Sequence, residues 1–240
     1  MMDNFTTFNI LIISLPITIT IFYTFYLLKI GRNQPALSTV SKRTILFLWF
    51  WFLSAFAIAY FHLFSHEVSF ENGDLLTFFI YFTLILFGPI VTLVSTKQSE
   101  SFNKLLSVIP AYVLVASQII RLGGYAYWEA YKDGKIPIHL GLSIAGLDVF
   151  LALCTPFLAY ALYKNYRWAG RATVAWAFLG IFDVLNAAVQ MSMGFLGIGG
   201  MSSASIHLPL SNLIELYQVG IGIIIHILLI NRFINTKVLK

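Results

Sequence analysis

Residues 118–148 read QIIRLGGYAYWEAYKDGKIPIHLGLSIAGLD, and the fold follows from how this stretch divides. Arg121 lies inside one long apolar segment and Asp148 inside the next, with a short polar turn between them. Charges at such depth are costly in a bilayer and need partners or a function. The stretch therefore reads as two membrane helices joined by a turn, each bringing one charge to the interior.

The rest of the chain has the same character. Of its 240 residues, 59% are hydrophobic and only 10% charged, and the mean hydropathy is +0.83. Soluble domains carry about 25% charged residues. Seven apolar segments stand out, at about 8–29, 44–65, 75–95, 105–131, 140–163, 173–196 and 210–232, each near the roughly 20 residues a spanning helix needs. Backbone polar groups must be paired internally in lipid, and the alternation of a membrane barrel is absent. The expected fold is all-α: a polytopic membrane protein of seven transmembrane helices forming one domain over residues 1–240. The first apolar run has no basic residues before it and is long enough to span, so it reads as a helix rather than a cleaved signal.

The net charge of +5 comes from basic residues in the connections. Lys29, Arg32, Lys42 and Arg43 flank the first, Lys97 and Lys104 the third, and Lys164, Arg167 and Arg171 the fifth. Arg232, Lys237 and Lys240 lie at or beyond the end of the last segment, whereas the second connection carries Glu67, Glu71 and Asp74. The positive-inside rule then puts the N-terminus outside and the C-terminus in the cytoplasm of an inner-membrane, multi-pass protein. Its expected partners are the lipid bilayer and a small-molecule or ion ligand. Nucleic acid is not among them, because the basic residues form no continuous footprint. Cys154 is the single cysteine, which excludes an internal disulfide and a multi-cysteine metal cage.

Polar side chains recur on the last four segments at helical spacing. Gln118, Arg121 and Tyr125 fall at i, i+3 and i+7 on one face of helix 4, and Asp183, Asn186 and Gln190 do the same on helix 6. Helix 5 contributes Asp148, and helix 7 contributes Glu215 and Gln218. At 1.5 Å per residue, Arg121 and Asp148 lie about 12–15 Å below the outer helix ends, Asp183 roughly 20 Å and Glu215 about 8 Å. These stripes are expected to meet in one pocket open to the outer side, with Arg121 paired to Asp148 or Asp183. One arginine faces three carboxylates. The plainer reading is an ion pair and amides that hold a bundle together.

Histidines form a second pattern. His62 and His66, one turn apart, lie with His139 and His207 toward the outer side and form a candidate metal set. Ordinary interfacial histidines are the plainer alternative. His226, deeper in helix 7, reads as a packed or amide-paired residue. The block Leu48-Trp49-Phe50-Trp51-Phe52 suits lipid-facing packing, or the wall of a pocket for a flat apolar ligand.

Arg121-Leu122-Gly123-Gly124, Gly134-Lys135-Ile136-Pro137, Gly146-Leu147-Asp148-Val149 and Pro156 together resemble a pattern in bacterial multi-span membrane proteins of no established activity. The resemblance covers helices 4 to 6; it implies a common core there and no function or cofactor. No lysine lies inside a span to carry a retinal Schiff base, and no Gly-rich phosphate loop or Ser-His-Asp motif is recognisable. The functional expectation is binding or transport of a small ligand, with Arg121 as anion clamp and a carboxylate as proton or cation partner. Two alternatives stand beside it: a metal-dependent membrane enzyme using the outer histidines, and a non-catalytic subunit or sensor.

Overall fold

A computed structural model describes residues 3–61, 75–134, 138–195 and 213–235, and these residues are helical apart from short turns. The order is α1 (Asp3–Asn33), a 3-10 turn at Pro35–Leu37, α2 (Ser38–Tyr60) and α3 (Leu75–Gln98). Next come α4 (Glu100–Val108), α5 (Ala111–Ser117), a 3-10 segment at Gln118–Gly124 and α6 (Tyr125–Lys132). The chain continues through α7 (Ile138–Tyr163), α8 (Ala169–Phe195), a π-helical turn at Ile214–Val219 and α9 (Gly220–Asn235).

Among the described residues, five helical stretches are long and apolar enough to cross a membrane: Ile12–Asn33, Pro35–Tyr60, Gly141–Tyr163, Ala169–Gln190 and Leu216–Ile234. A sixth results if Glu100–Val108 and Ala111–Glu129, bent by 81° at their junction, form one span, and Thr83–Gln98 is a shorter apolar helix. Large apolar side chains stand exposed on the outside, among them Phe157, Leu46, Phe25 and Phe50. Such a surface is an aggregation liability in water and suits lipid contact, so the chain fits a membrane-embedded protein.

The expected fourth helix, 105–131, is corrected in two ways. Its first residues belong to α4, which crosses the following helix steeply because Pro110 has no N–H and starts a new helix. Ser99 caps α4 by accepting a hydrogen bond from the Phe102 N–H at 3.2 Å. Leu105 is buried, while Glu100, Asn103 and Lys104 are exposed, so α4 is amphipathic. Two carbonyls at the break are taken by Arg232 of α9, which donates to Ile109 O at 2.6 Å and Leu106 O at 2.7 Å. The second correction is the 3-10 segment itself, which replaces α-helix at Gln118–Gly124.

The aromatic block on α2 divides between core and surface. Trp51 and Phe52 are buried and Phe50 is exposed, so lipid-facing packing holds only in part. The Trp51 and Phe52 rings meet Tyr217 edge-on, with centroids 5.1 and 5.4 Å away. Trp51 also donates its indole N–H to Leu216 O in the π turn at 3.0 Å. The Tyr217 hydroxyl pairs with Thr20 at 2.6 Å, and Tyr23 donates to Ser117 at 2.8 Å. These bonds tie α1 and α2 to the same centre as α5 and the π turn. The 3-10 segment thus sits against α1, α7 and the π turn, deep in the bundle.

Candidate functional site

The pair Gly123-Gly124 weakens α-helix formation, since glycine costs about 1 kcal/mol relative to alanine in a helix interior. A 3-10 helix turns once in three residues. Gln118, Arg121 and Gly124 therefore line up along one edge. Gly124 makes the notch for Asp148: a Cβ there would fall on the Asp148 carboxyl. Gly123 does likewise for Gln218, whose Oε1 would lie 2.7 Å from an added Cβ.

Arg121 reaches two carboxylates at once. Its Nη1 donates to Asp148 Oδ1 and, at 2.6 Å, to Asp183 Oδ2. Its Nη2 donates to the Gly180 carbonyl at 3.1 Å. The pairing expected with one aspartate or the other is realised with both. Arg121 and Asp183 are buried and Asp148 nearly so. With one guanidinium (+1) and two carboxylates (−2), the formal charge of the trio is −1.

Around the trio lies a shell of buried polar atoms with no partner among the described residues. These are Asp183 Oδ1, Arg121 Nε, both amide atoms of Gln118, Gln218 Nε2 and both ring nitrogens of His226. Leaving such a group unsatisfied costs about 1–3 kcal/mol, so the shell is where ordered water or an ion would be stabilised. His226 is packed, as expected, and pairs with no amide among the described residues. Its ring lies 4.9 Å from that of Trp176 and occupies the place a Cβ on Gly180 would take. A cavity of about 420 Å³ adjoins Arg121, Asp148, Asp183 and Gln218, and its other walls are apolar, including Tyr127, Ile144 and Ile227.

Not every expected member joins this site. Tyr125 is exposed, 44% of its surface being free, because the 3-10 turn rotates it off the edge shared by Gln118 and Arg121. Asn186 and Gln190 form a separate cluster on Ser143 of α7, donating to its Oγ at 3.2 and 2.5 Å, and Gln190 also donates to Asn186 Oδ1 at 3.0 Å. Glu215 lies in the π turn, and its side chain is outside those described. Of the metal candidates, His62, His66 and His207 fall outside the described residues, and for His139 only its place in the first turn of α7 is described. Among the described residues no group of three or more His, Cys, Asp or Glu side chains is placed to hold a metal ion.

Sequence reasoning missed the Gly180 carbonyl, the Gly124 notch and Ser143. The signal for the first was weak: Gly180 precedes Asp183 by three residues, one turn away on the same face. Gly146-Leu147-Asp148 and Gly180-Ile181-Phe182-Asp183 are alike in sequence but differ in packing, since Gly146 faces open space and Gly180 faces His226. Comparisons with family models, curated proteins and solved structures give no match.

Proposed function

We propose that this chain is a multi-pass inner-membrane protein that binds, and in doing so moves, a small cation at the Arg121–Asp148–Asp183 trio, a proton being the simplest such cargo. In this reading α3 and the bent α4–α6 unit complete seven spans, with the N-terminus outside and the C-terminus in the cytoplasm. Membership of the bacterial multi-span group that helices 4 to 6 resemble belongs to the same proposal.

The observation that carries the reading is the sharing of one guanidinium by two buried carboxylates beside a cavity. A buried net negative charge is expensive unless a counter-charge neutralises it. A proton on one carboxyl, or a cation reaching the free Asp183 Oδ1, supplies it. The same geometry argues against Arg121 as an anion clamp. Its terminal nitrogens already face two carboxylates and a carbonyl, so an incoming anion must displace an aspartate.

The test is ligand-linked stability of the purified protein in detergent. Sodium, potassium and ammonium are each exchanged against a bulky organic cation at constant ionic strength, and protonation is followed by infrared carboxyl difference spectra between acidic and alkaline pH. A cation at about 100 times its dissociation constant stabilises by about 2.7 kcal/mol. The expected result is one responsive cation, or one protonating carboxyl band, that disappears in a folded Asp183→Asn variant. Identical responses from wild type and Asp183→Asn would leave the trio a structural ion network and end the proposal.

A further inference from the structure

A second cavity, of about 370 Å³, lies on the opposite side of α9 from the trio, between α2, α3 and α4. We propose that it holds the single acyl chain of an anionic lipid whose headgroup is bound by Arg43. The site is independent of the cation reading, since it shares no lining residue with the cavity beside Asp148 and Asp183.

The only charged residue lining the cavity is Arg43, and the Tyr23 hydroxyl further along is already donated to Ser117. On α2, Val40, Arg43, Thr44, Phe47, Leu48 and Trp51 line it at i, i+3, i+4, i+7, i+8 and i+11, one continuous helical face about 16 Å long. Arg43 and Thr44 lie one turn from the Val40 end of that face, and Ser95 of α3 and Ser99, the N-cap of α4, also line the cavity. The far end is closed by Trp51, Ile221 and Ile225. Trp51 offers only its ring, because its N–H is spent on Leu216 O. Phe102, Leu105 and Leu106 of α4 cover the side.

Charge selects the occupant. No aspartate or glutamate lines the cavity, and Arg43 makes no ion pair among the described residues. A guanidinium in a cavity also lined by the Ser95 and Ser99 hydroxyls suits a carboxylate or phosphate headgroup, the Thr44 hydroxyl being donated to Val40 O. The apolar depth beneath has the length and volume for one chain rather than two. In the proposed orientation the Arg43 end faces the cytoplasm, where anionic headgroups lie within reach of a basic residue.

The experiment uses acyl chains brominated near their tails, which quench tryptophan on contact, titrated into the purified full chain in nonionic detergent micelles. A brominated fatty acid is expected to quench a saturable fraction of the emission through Trp51, above the unsaturable background from exposed residues such as Trp168. Arg43→Gln should weaken this binding about tenfold, the scale of one charge-assisted hydrogen bond. A brominated fatty alcohol should bind wild type and Arg43→Gln alike, and weakly. Val91→Phe, which fills the cavity without touching Arg43, should abolish the saturable component. A brominated lysophosphatidylglycerol, which also carries one chain, run beside the fatty acid distinguishes the sources: whichever saturates at the lower concentration names the headgroup. Superimposable curves for wild type and Arg43→Gln, equal binding of acid and alcohol, or an unaffected Val91→Phe would each overturn the proposal.

Discussion

Removing Arg121 should damage the protein far more than removing either aspartate, and the charge count says why. The wild-type trio carries −1, Arg121→Met leaves −2, and Asp183→Asn leaves 0. Two carboxylates held by one nitrogen lie close together, and without the guanidinium like charges at a separation of about 4 Å repel by about 4 kcal/mol at an effective dielectric constant near 20. Breaking a buried ion pair from one side costs about 3–5 kcal/mol by experience with other proteins. Arg121→Met also removes the second hydrogen bond that the Gly180 carbonyl accepts, on top of its helical one. A loss of about 3–5 kcal/mol consumes much of the 5–15 kcal/mol that typically separates folded from unfolded. Asp183→Asn keeps an oxygen for Nη1 to donate to, so its cost should stay near 1 kcal/mol. The assay is unfolding in mixed micelles, followed by circular dichroism as denaturing detergent is raised. Because Arg121→Met is expected to fold poorly, the decisive variant is the triple Arg121→Met, Asp148→Asn, Asp183→Asn. With no buried charge left, it should recover to within about 1–2 kcal/mol of wild type. The reasoning is refuted if Asp183→Asn is as damaging as Arg121→Met, or if the triple variant is no better than the single.

Two further outcomes follow from close contacts away from the trio. Gly88→Ala places a Cβ on the Trp51 ring, so it should cost about 1–3 kcal/mol, and the cost should shrink when Trp51→Phe is present, as a double-mutant cycle in the same unfolding assay will show. Arg232→Lys loses the fork across Leu106 O and Ile109 O, because an ammonium is a point donor. About 1–2 kcal/mol should go from the α4–α5 break, read as faster amide exchange confined to residues 100–109; exchange unchanged there would deny Arg232 its role.

The apolar runs were legible in the sequence because lipid burial imposes length and composition, and five of the seven correspond to helical stretches long and apolar enough to cross a membrane. The charges were legible as a group for a related reason. A buried arginine needs acids near it, and the chain offers few, so Arg121, Asp148 and Asp183 could be named together before any geometry was known. How they pair was not legible, because a count of charges does not say that one nitrogen can serve two carboxylates. Nor was the bend at Pro110. Val108, Ile109 and Ala111 continue the apolar pattern across the break, and what marks it is a missing N–H and the two carbonyls Arg232 collects from the other end of the chain.

Helix type decides the membership of the site more than residue type does. On an α-helix, a residue seven positions on returns to within about 20° of the starting face, which is why Tyr125 reads as a neighbour of Gln118. In a 3-10 helix, at three residues per turn, the same separation ends about 120° away, and position 124 takes the shared edge instead. The substitution is chemically consequential. A tyrosine on that edge would bring a bulky ring and a hydroxyl to Arg121. Gly124 brings nothing, and the space it leaves is filled by the Asp148 carboxyl. Two carboxylates can converge on one guanidinium only because that edge of the 3-10 segment has no Cβ in their way. Gly124→Ala therefore tests the same assembly from the backbone side: by pushing Asp148 away, it should reproduce part of the loss seen on Arg121→Met without altering any charge.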